Sequence, residues 1–335
     1  RDDAQQTRYF RNKRVEPSND YVYDATYRLI QGTGREHLGQ IGGPPIPHSS
    51  NDAGRVNVLS TAPGGRFGAN DGAVMGAYIE RYVYDTVGNL LEMQHRGLDA
   101  ANAGWTRVHE YVETSLIEDG SAGTSLKRSN RLTRTTLNPG SAGALTEPYA
   151  HDPHGNMVRI PHLGVGTSAP NMHWDYKDQL RQVDRGGGGV AFNVYDASGQ
   201  RVRKVWEKSP GLIEERIYFG SFEIFRRHNG AIAANSAVLE RETLHVTDDE
   251  QRIALVETRT RDTAGNDPAL RQLIRYQFSN HLGSAALELD DDAQIISYEE
   301  YSPFGNSTYQ AVRSQTDTPK RYRYTGKERD EESCL

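Results

Sequence analysis

The chain has 335 residues, 36% of them hydrophobic, and a net charge of −6 at pH 7. It is long enough to bury a core, but its acidic balance gives no electrostatic basis for binding nucleic acid. Cys334 is the single cysteine, which excludes an internal disulfide framework and a multi-cysteine zinc site. The sequence contains no run of 18 apolar residues, which is the pattern that would predict a membrane-spanning helix. The 18 Tyr, 33 Gly and 14 Pro favour β-sheets joined by many turns.

A short pattern recurs along the chain, in which aromatic residues precede Asp, a turn follows, and a polar–apolar alternation comes next. Its copies are YVYDATYRLIQ (21–31), YVYDTVGNLLEM (82–93), YAHDPHGNMVRI (149–160), HWDYKDQLRQV (173–183), NVYDASGQRVRKV (193–205) and a looser YQFSNHLGSAALEL (276–289). Asp, Asn and Gly are residues that tight turns favour. Because an isolated hairpin is only marginally stable, the pattern predicts an all-β fold of stacked antiparallel β-hairpin repeats.

The segment GTGREHLG (32–39) is the first that could suggest a ligand site. It lacks the Lys-Ser/Thr pair of a phosphate-binding loop, and no βαβ pattern surrounds it. We therefore expect a turn structured by Gly32, Gly34 and Gly39. Arg35 and Glu36 could pair across neighbouring hairpins.

The segment HEYVE (109–113) resembles half of a zinc-binding helix, but Glu113 stands where a second His would be required. Its alternating side chains predict a strand instead. Further along, Asp290, Asp291 and Asp292 lie in LDDDAQ (289–294) and lack the wide ligand spacing of a calcium loop. They predict a solvated hairpin turn.

Several carboxylates near the end of the chain invite comparison with a glycosidase pair. Glu299 and Glu300 cannot form one, because adjacent residues of a strand point to opposite faces. Nothing in the sequence brings the remaining acids together: Glu328, Asp330, Glu331 and Glu332.

His281 and Ser284 lie in one predicted turn, and no acid is specified to orient the histidine for nucleophilic catalysis. Cys334 lacks the flanking sequence of a catalytic thiol. The sequence therefore predicts no catalytic residue, no cofactor and no metal site.

Two motif regions follow the repeats, namely NHLGS (280–284) with YSPFGN (301–306), and YRYTGKERDEES (322–333). We expect Tyr298 and Tyr301 to lie in a strand that ends at the corner Pro303–Gly305. A further strand is expected to start at Tyr322–Thr325.

These motifs, together with the repeats, resemble the RHS/YD-repeat proteins and their repeat-associated core domain. The resemblance is to the RHS portion of insecticidal Tc-toxin B/C components and SpvB-like fusions, and it covers nearly the whole chain. Asn280 stands where the family usually has Asp. The motif residues that match and are expected to be structural are His281, Leu282, Gly283, Ser284, Tyr301, Pro303, Phe304, Gly305, Thr325, Gly326, Lys327, Glu328 and Asp330.

The resemblance implies a spiralling β-strip that is part of a hollow RHS cocoon. Such a shell encloses a C-terminal toxin domain for delivery to a target cell. The implied partners are this toxin cargo, the remaining parts of the shell and a Tc-toxin translocation subunit, and the implied location is extracellular, within a larger bacterial toxin. Residues 1–270 are expected to form the hairpin array and residues 271–335 the repeat-associated core segment.

The same family carries an aspartyl autoprotease that releases the toxin at an Asp-Pro-x-Gly boundary. We expect that segment beyond Leu335, and we interpret DPHG (152–155) as a repeat turn. The resemblance therefore implies no enzyme within this chain. Two other hypotheses remain open, a carbohydrate- or cell-surface-binding YD-repeat module and a hydrolase on a β-scaffold.

Overall fold

The computed structural model describes residues 5–40, 71–100, 102–163, 169–233, 235–249, 251–314 and 318–330. These residues form 25 β-strands and three 3₁₀ turns, and they contain no α-helix. None of their helical segments is long and apolar enough to cross a membrane. The predicted all-β, antiparallel fold is confirmed.

The chain divides into two compact units, residues 1–155 with 300–309 and residues 156–299 with 310–335. In the first unit, seven strands form a sheet in the order β11-β10-β7-β6-β5-β4-β3, and β1–β2 and β8–β9 form separate pairs. The strands are β1 (Arg8–Phe10), β2 (Lys13–Val15), β3 (Tyr21–Tyr23), β4 (Leu29–His37), β5 (Met75–Tyr84), β6 (Leu90–Gly97), β7 (Trp105–Glu110), β8 (Thr114–Asp119), β9 (Leu126–Arg128), β10 (Arg134–Leu137), β11 (Leu145–Pro148) and β12 (Ala150–His151).

The strands that follow are β13 (Met157–Arg159), β14 (Met172–Trp174), β15 (Leu180–Asp184), β16 (Val190–Tyr195), β17 (Arg201–Ser209), β18 (Leu212–Phe219), β19 (Phe222–Asn229), β20 (Ala237–Thr247), β21 (Arg252–Asp262), β22 (Gln272–Ser279), β23 (Ala285–Leu289), β24 (Ile295–Tyr301) and β25 (Ser307–Val312). From β14 to β25 they form one twelve-stranded sheet in sequence order. The 3₁₀ turns are Pro161–Leu163, Gly186–Gly188 and Tyr324–Gly326.

The described residues include two small apolar clusters. The first consists of Tyr82, Met93, Trp105 and Leu137, and the second of Ile160, Leu163, Met172, Val183 and Ala191. Neither cluster is large, which agrees with the low hydrophobic content of the chain. Backbone pairing and polar contacts therefore make a large contribution to holding the sheets together.

One five-residue turn recurs along the chain. The N–H of its first residue donates to the carbonyl of the fifth, and its carbonyl accepts from the N–H of the fourth, as in Asp85 with Asn89 (3.0 Å) and Gly88 (3.3 Å). The same pair of bonds is made by turns that begin at Asp24, Asp175, Asp196, Asn280, Asp290 and Ser302. The motifs NHLGS and YSPFGN, and the acidic LDDDAQ, are therefore further copies of the repeat turn.

Where the first residue is Asp or Asn, its side chain also accepts from the backbone. Asp196 Oδ1 accepts from the N–H groups of Ser198 (2.8 Å) and Gln200 (3.0 Å). The N–H of Arg28 holds the pKa of the Asp24 carboxyl well below its ordinary value, and the N–H of Gln294 lowers the pKa of Asp290 in the same way. The repeated Asp is thus an acceptor that satisfies turn N–H groups, and the predicted turn role of Asp290 is confirmed.

Three local predictions need correction or qualification. The turn predicted for segment 32–39 is confirmed only at Gly39, because β4 runs through Gly32 and Gly34 and ends at His37. A Cβ there would lie 2.7 Å from Pro303 Cγ at Gly32 and 2.6 Å from the Tyr78 hydroxyl at Gly34, so these glycines allow close packing instead.

The strand prediction for HEYVE holds only for His109 and Glu110, where β7 ends. The strand expected at Tyr322–Thr325 is wrong, since this segment makes one bridge, Tyr322 to Glu328, and then a 3₁₀ turn. The segment is instead held by a few backbone hydrogen bonds outside a strand ladder and by its side chains. The strand expected before the Pro303 corner is β24 and is confirmed.

The fourth residue of the repeat turn requires a positive φ, which is 100° at Gly88. Replacing Gly88 by Ala should lower the free energy of unfolding by about 1 kcal/mol, because an L-residue is strained in this region. No atom lies within 4 Å of the new Cβ, so the loss would come from the backbone alone. Urea unfolding of the parent and of Gly88→Ala measures the difference in the free energy of unfolding.

Gly143→Ala is the matched control. Gly143 also has open space around its Cβ position but no positive φ, so its stability should change by less than about 0.5 kcal/mol. Equal losses in the two variants would contradict the turn analysis.

Candidate functional site: repeat junctions and buried ion pairs

The aromatic residue before a repeat turn ties its hairpin to the preceding one. The Tyr84 hydroxyl donates to the carbonyl of Leu29 (2.9 Å), and the Tyr195 hydroxyl donates to the carbonyl of Leu180 (2.9 Å). In both cases the acceptor lies five residues after the Asp of the preceding turn. The carbonyls at the same position of two other repeats also accept side-chain hydrogen bonds. The Trp174 indole donates to the carbonyl of Met157 (2.8 Å), and the Tyr111 hydroxyl donates to the carbonyl of Leu90 (3.1 Å).

The pairs Tyr84–Asp85 and Tyr195–Asp196 therefore each have two tasks. The Asp closes its own turn, and the Tyr fixes the neighbouring hairpin by a hydrogen bond that a phenylalanine could not make. The sequence predicted the aromatic position but not its partner, because the acceptor is a backbone carbonyl that carries no residue-type signal.

The structure brings two of the predicted family motifs together. The N–H of Thr325 donates to Ser284 Oγ (2.9 Å), and the N–H of Ala285 donates to the carbonyl of Arg323 (3.0 Å). A Cβ on Gly326 would lie 3.2 Å from the carbonyl oxygen of Gly283. Ser284 is fully buried, whereas His281, Leu282 and Lys327 are exposed.

The third motif lies in the first unit. Phe304 packs edge-on against Tyr82 with ring centroids 5.0 Å apart, and Pro303 lies against Gly32. Gly305 takes the positive-φ position of the turn, at 85°. Tyr301 is the last residue of β24. These motif residues therefore pack hairpins together.

One face of the second unit's sheet carries buried glutamates, namely Glu223, Glu257, Glu288 and Glu299. Cations are paired with each of them. Arg275 lies 2.7 Å from Glu257 and 3.0 Å from Glu288, and Arg321 lies 2.9 Å from Glu223. Arg323 forms an ion pair with Glu299. Since a buried charge is costly unless it is paired, segment 318–330 must keep its position for Glu223 and Glu299 to keep these arginine partners.

The acids of the motif TGKERD take part in the same network. Arg201 lies 2.9 Å from Glu328 and 2.5 Å from Asp330, and Lys204 lies 2.8 Å from Asp330. Burial alone would raise the pKa of Glu328 and Asp330, but the charge of Lys204 and its neighbours lowers the pKa of both. Both acids are therefore ionised, and their ion pairs hold segment 318–330 against β17.

The expectation that Glu299 and Glu300 point to opposite faces of their strand is confirmed. Glu299 pairs with Arg323, whereas Glu300 accepts from Arg35 Nε at 2.9 Å. Arg35 and Glu36 do pair across hairpins, Glu36 with His95 at 2.9 Å.

His95 occupies a buried site that the sequence did not reveal. Its Nε2 lies 2.9 Å from Glu36 and its Nδ1 lies 3.0 Å from Glu80. Tyr78 and Trp105 stack on the imidazole with centroids 4.9 Å and 5.5 Å away. Tyr82 and Asn102 donate to the outer carboxylate oxygens at 2.5 Å and 2.6 Å. A histidine between two carboxylates is expected to carry a charge.

The charge of His95 follows from opposing effects. Burial lowers the pKa of the imidazole, but Glu36 and Glu80 more than offset this and raise the pKa to about 9. No sequence signal could have found the site, because its residues are 59 and 15 positions apart along the chain.

The His95 site predicts sensitivity to alkaline pH. A raised pKa contributes stability that is fully present below the ordinary value of 6.5 and is lost as pH rises through about 9. Between pH 7 and pH 10, the free energy of unfolding should fall by about 3 kcal/mol more in the parent protein than in His95→Gln. Urea unfolding across this pH range measures the difference.

His173 is exposed, so His173→Gln should retain the parent pH dependence. An identical pH dependence in His95→Gln and the parent would contradict a charged His95.

Other predicted positions make ordinary structural contacts. Asp152 begins a turn closed by the N–H of Gly155 (3.0 Å), as expected for DPHG. Asp290 forms an ion pair with Arg313. Among the described residues, no group of three His, Cys, Asp or Glu side chains is placed to hold a metal ion. Glu331, Glu332 and Cys334 lie outside the described residues.

The turn and its aromatic tie define a strip of hydrogen-bonded YD hairpins. In sequence, the chain is 27% identical to the toxin subunit YenC1 and 29% identical to the toxin subunit YenC2, both of Yersinia entomophaga, over 98% of its length. It spans 30% of each of these relatives. The resemblance to RHS/YD-repeat toxin components is thereby confirmed. No family model matches the chain.

Solved structures agree with this result. The chain is 26% identical to a crystal structure of TcdB2–TccC3 without its hypervariable C-terminal region, with a TM-score of 0.67 over 98% of this chain and 14% of that one. The Tc holotoxin pore of Photorhabdus luminescens gives a TM-score of 0.68 at 26% identity, over 99% of this chain and 14% of that one. The probable deoxyribonuclease RhsA of Dickeya dadantii is 30% identical over 40% of this chain and 10% of the relative.

Proposed function

We propose that the chain is a wall segment of a bacterial RHS/Tc-type toxin shell that encloses a C-terminal toxin domain for delivery. The observation that carries the proposal is the recurrence of one turn in both large sheets, with a tyrosine tie at Tyr84 in one sheet and at Tyr195 in the other. Such a sheet can be extended by adding hairpins without a new core. Similarity to Tc-toxin subunits over nearly the whole chain supports the same role.

The chemistry of the buried acids favours a wall over an enzyme. Glu328 and Asp330 are held ionised by Arg201 and Lys204, so they are poorly suited to proton transfer near neutral pH. The match to the probable deoxyribonuclease covers a tenth of that protein, and its named activity is not carried over to this chain.

The proposed partners are the toxin cargo, the remaining shell and a translocation subunit, and the proposed location is extracellular. One face of the second sheet supports contact with such partners. Opposite the buried glutamates it exposes apolar side chains, among them Leu244, Tyr276, Phe278 and Ile295. Exposed apolar patches of this kind mark interaction surfaces.

We retain residues 271–335 as the proposed repeat-associated core segment. Arg275 donates to Thr318 Oγ1 (2.8 Å) as well as to Glu257 and Glu288, which joins the start of this segment to its later part.

A carbohydrate- or cell-surface-binding module is the second candidate. Tyr27 and Tyr176 lie at repeat turns with 88% and 85% of their side chains exposed, and exposed tyrosines can stack on sugars. Binding of a neutral glycan array by the parent chain, lost in Tyr27→Ser and Tyr176→Ser, would favour this function over the shell.

Protection of cargo tests the shell proposal. In the parent polypeptide that includes shell and tail, the tail should resist a soluble protease under conditions that digest the isolated tail. Digestion of both tails at the same rate would contradict enclosure.

We further propose that the autoprotease acids lie in a following segment. The 335-residue chain should then stay intact on prolonged incubation, whereas a version extended through an Asp-Pro-x-Gly boundary should release its tail. Mass spectrometry of both chains measures this. Spontaneous cutting of the 335-residue chain at one defined bond would overturn the assignment.

Tyr322→Asp in the extended version should slow release. Tyr322 is buried and donates to Glu223, so a second carboxylate there would displace segment 318–330 and any groups aligned on it. Tyr322→Phe removes only the hydroxyl and should slow release less. Equal rates for Tyr322→Asp and the parent would contradict the coupling.

A further inference from the structure

Arg252 is partly buried, and it differs from the buried cations of the second unit. Its guanidinium lies over the Tyr322 ring, with Cζ 3.7 Å from the centroid. Nε donates to His245 Nδ1 (2.9 Å) and Nη1 donates to the carbonyl of Gly326 (3.3 Å). Neither acceptor is a carboxylate. Within the described part of the chain, no carboxylate lies at ion-pair distance from Arg252.

Its neighbours are compensated directly. Arg275, Arg321 and Arg323 each contact a glutamate. Burial without a contacting carboxylate lowers the pKa of Arg252 to about 10. Among the described residues, the contact with His245 links Arg252 to Glu223, which lies 2.8 Å from His245 Nε2. Arg252 therefore has donors that remain available to an anion.

Arg252 lines a cavity of about 760 Å³ where the motifs HLGS and YTGK meet. A cavity of this size lies within the range of small-molecule sites. Its wall is mainly polar, with Thr247, Gln251, Asn280 and His281 beside Arg252. Leu282 is its one large apolar side chain.

We propose that this cavity binds the carboxylate of an acidic sugar, a uronic acid residue, with Arg252 as its anchor. A planar guanidinium matches a carboxylate through two parallel N–H donors. The polar wall offers partners to sugar hydroxyls, whereas the methylene groups of an acidic peptide side chain would leave those partners unsatisfied.

Charge at the rim favours a monoanion over a phosphate dianion. Asp248 and Asp249 line the same cavity, so a second negative charge on the ligand would be repelled. Because the site lies on the wall itself, it is independent of whether the wall encloses cargo, and its failure would leave the shell proposal unchanged.

Ligand-observed NMR of the 335-residue chain with glucuronate tests the site. Glucose, which lacks the carboxylate, is the uncharged control ligand. Glucuronate should bind with a Kd near 1 mM, on the order of a few kcal/mol of binding free energy, and glucose at least tenfold more weakly. Equal binding of the two would overturn the proposal.

Two further probes separate the sources of the anion. N-acetylglutamate amide should bind more weakly than glucuronate, and equal or tighter binding would overturn the assignment to a sugar. Inorganic phosphate should also bind more weakly, and a tighter interaction would overturn the preference for a monoanion.

Variants locate the site. Arg252→Met should weaken glucuronate binding at least tenfold, and Asp249→Asn should strengthen it by removing a like charge. Arg271→Met is the control, since Arg271 is exposed and lies outside the cavity lining. Unchanged binding in Arg252→Met would overturn the assignment.

A measurement on the parent chain covers the case in which Arg252→Met does not fold. Phenylglyoxal modifies accessible arginines, and peptide mass spectrometry reports each site. Glucuronate, but not glucose, should slow modification of Arg252 and leave Arg271 unaffected. Equal rates with and without glucuronate would overturn the proposal.

Discussion

The fold depends on one side-chain interaction, the acceptance of two backbone N–H groups by the first residue of the repeat turn. In Asp85 these come from Val87 (3.0 Å) and Asn89 (2.8 Å). A five-residue turn leaves these donors without strand partners, and an unsatisfied backbone group is costly. The Asx side chain removes that cost locally. Each hairpin can therefore close without help from a large core.

The tyrosine before the turn extends this local solution to the preceding hairpin. Its hydroxyl reaches a carbonyl at a fixed position of the preceding repeat, as Tyr84 does at Leu29. Turn and tie together make each repeat dependent on its neighbour, which is how repeat proteins gain stability without a central core. A chain that is 36% hydrophobic can form long sheets in this way.

Ion pairs replace apolar packing where segment 318–330 covers the twelve-stranded sheet. Arg321 and Arg323 find Glu223 and Glu299 on strands far away in sequence. Buried pairs of this kind add little net stability compared with apolar packing, but an unmatched partner is strongly penalised. These ion pairs mainly fix the position of segment 318–330, because few other positions of the segment would leave every buried charge paired. The same constraint makes Arg252, which lacks a directly bonded carboxylate in the described structure, stand out.

The sequence by itself determined the hairpin repeat, the turn positions and the family resemblance, because a turn is a local structure and its Asp and Gly requirements are written within five residues. It also placed Glu299 and Glu300 on opposite faces, since strand alternation is local too. Only the tertiary structure decided that Gly32 and Gly34 lie within a strand, where Pro303 and Tyr78 approach them. It also decided the partners of His95 and Arg252 and the bridge that replaces a strand at Tyr322. These contacts join residues far apart in sequence, and their energies depend on burial and on paired charges, which no local pattern encodes.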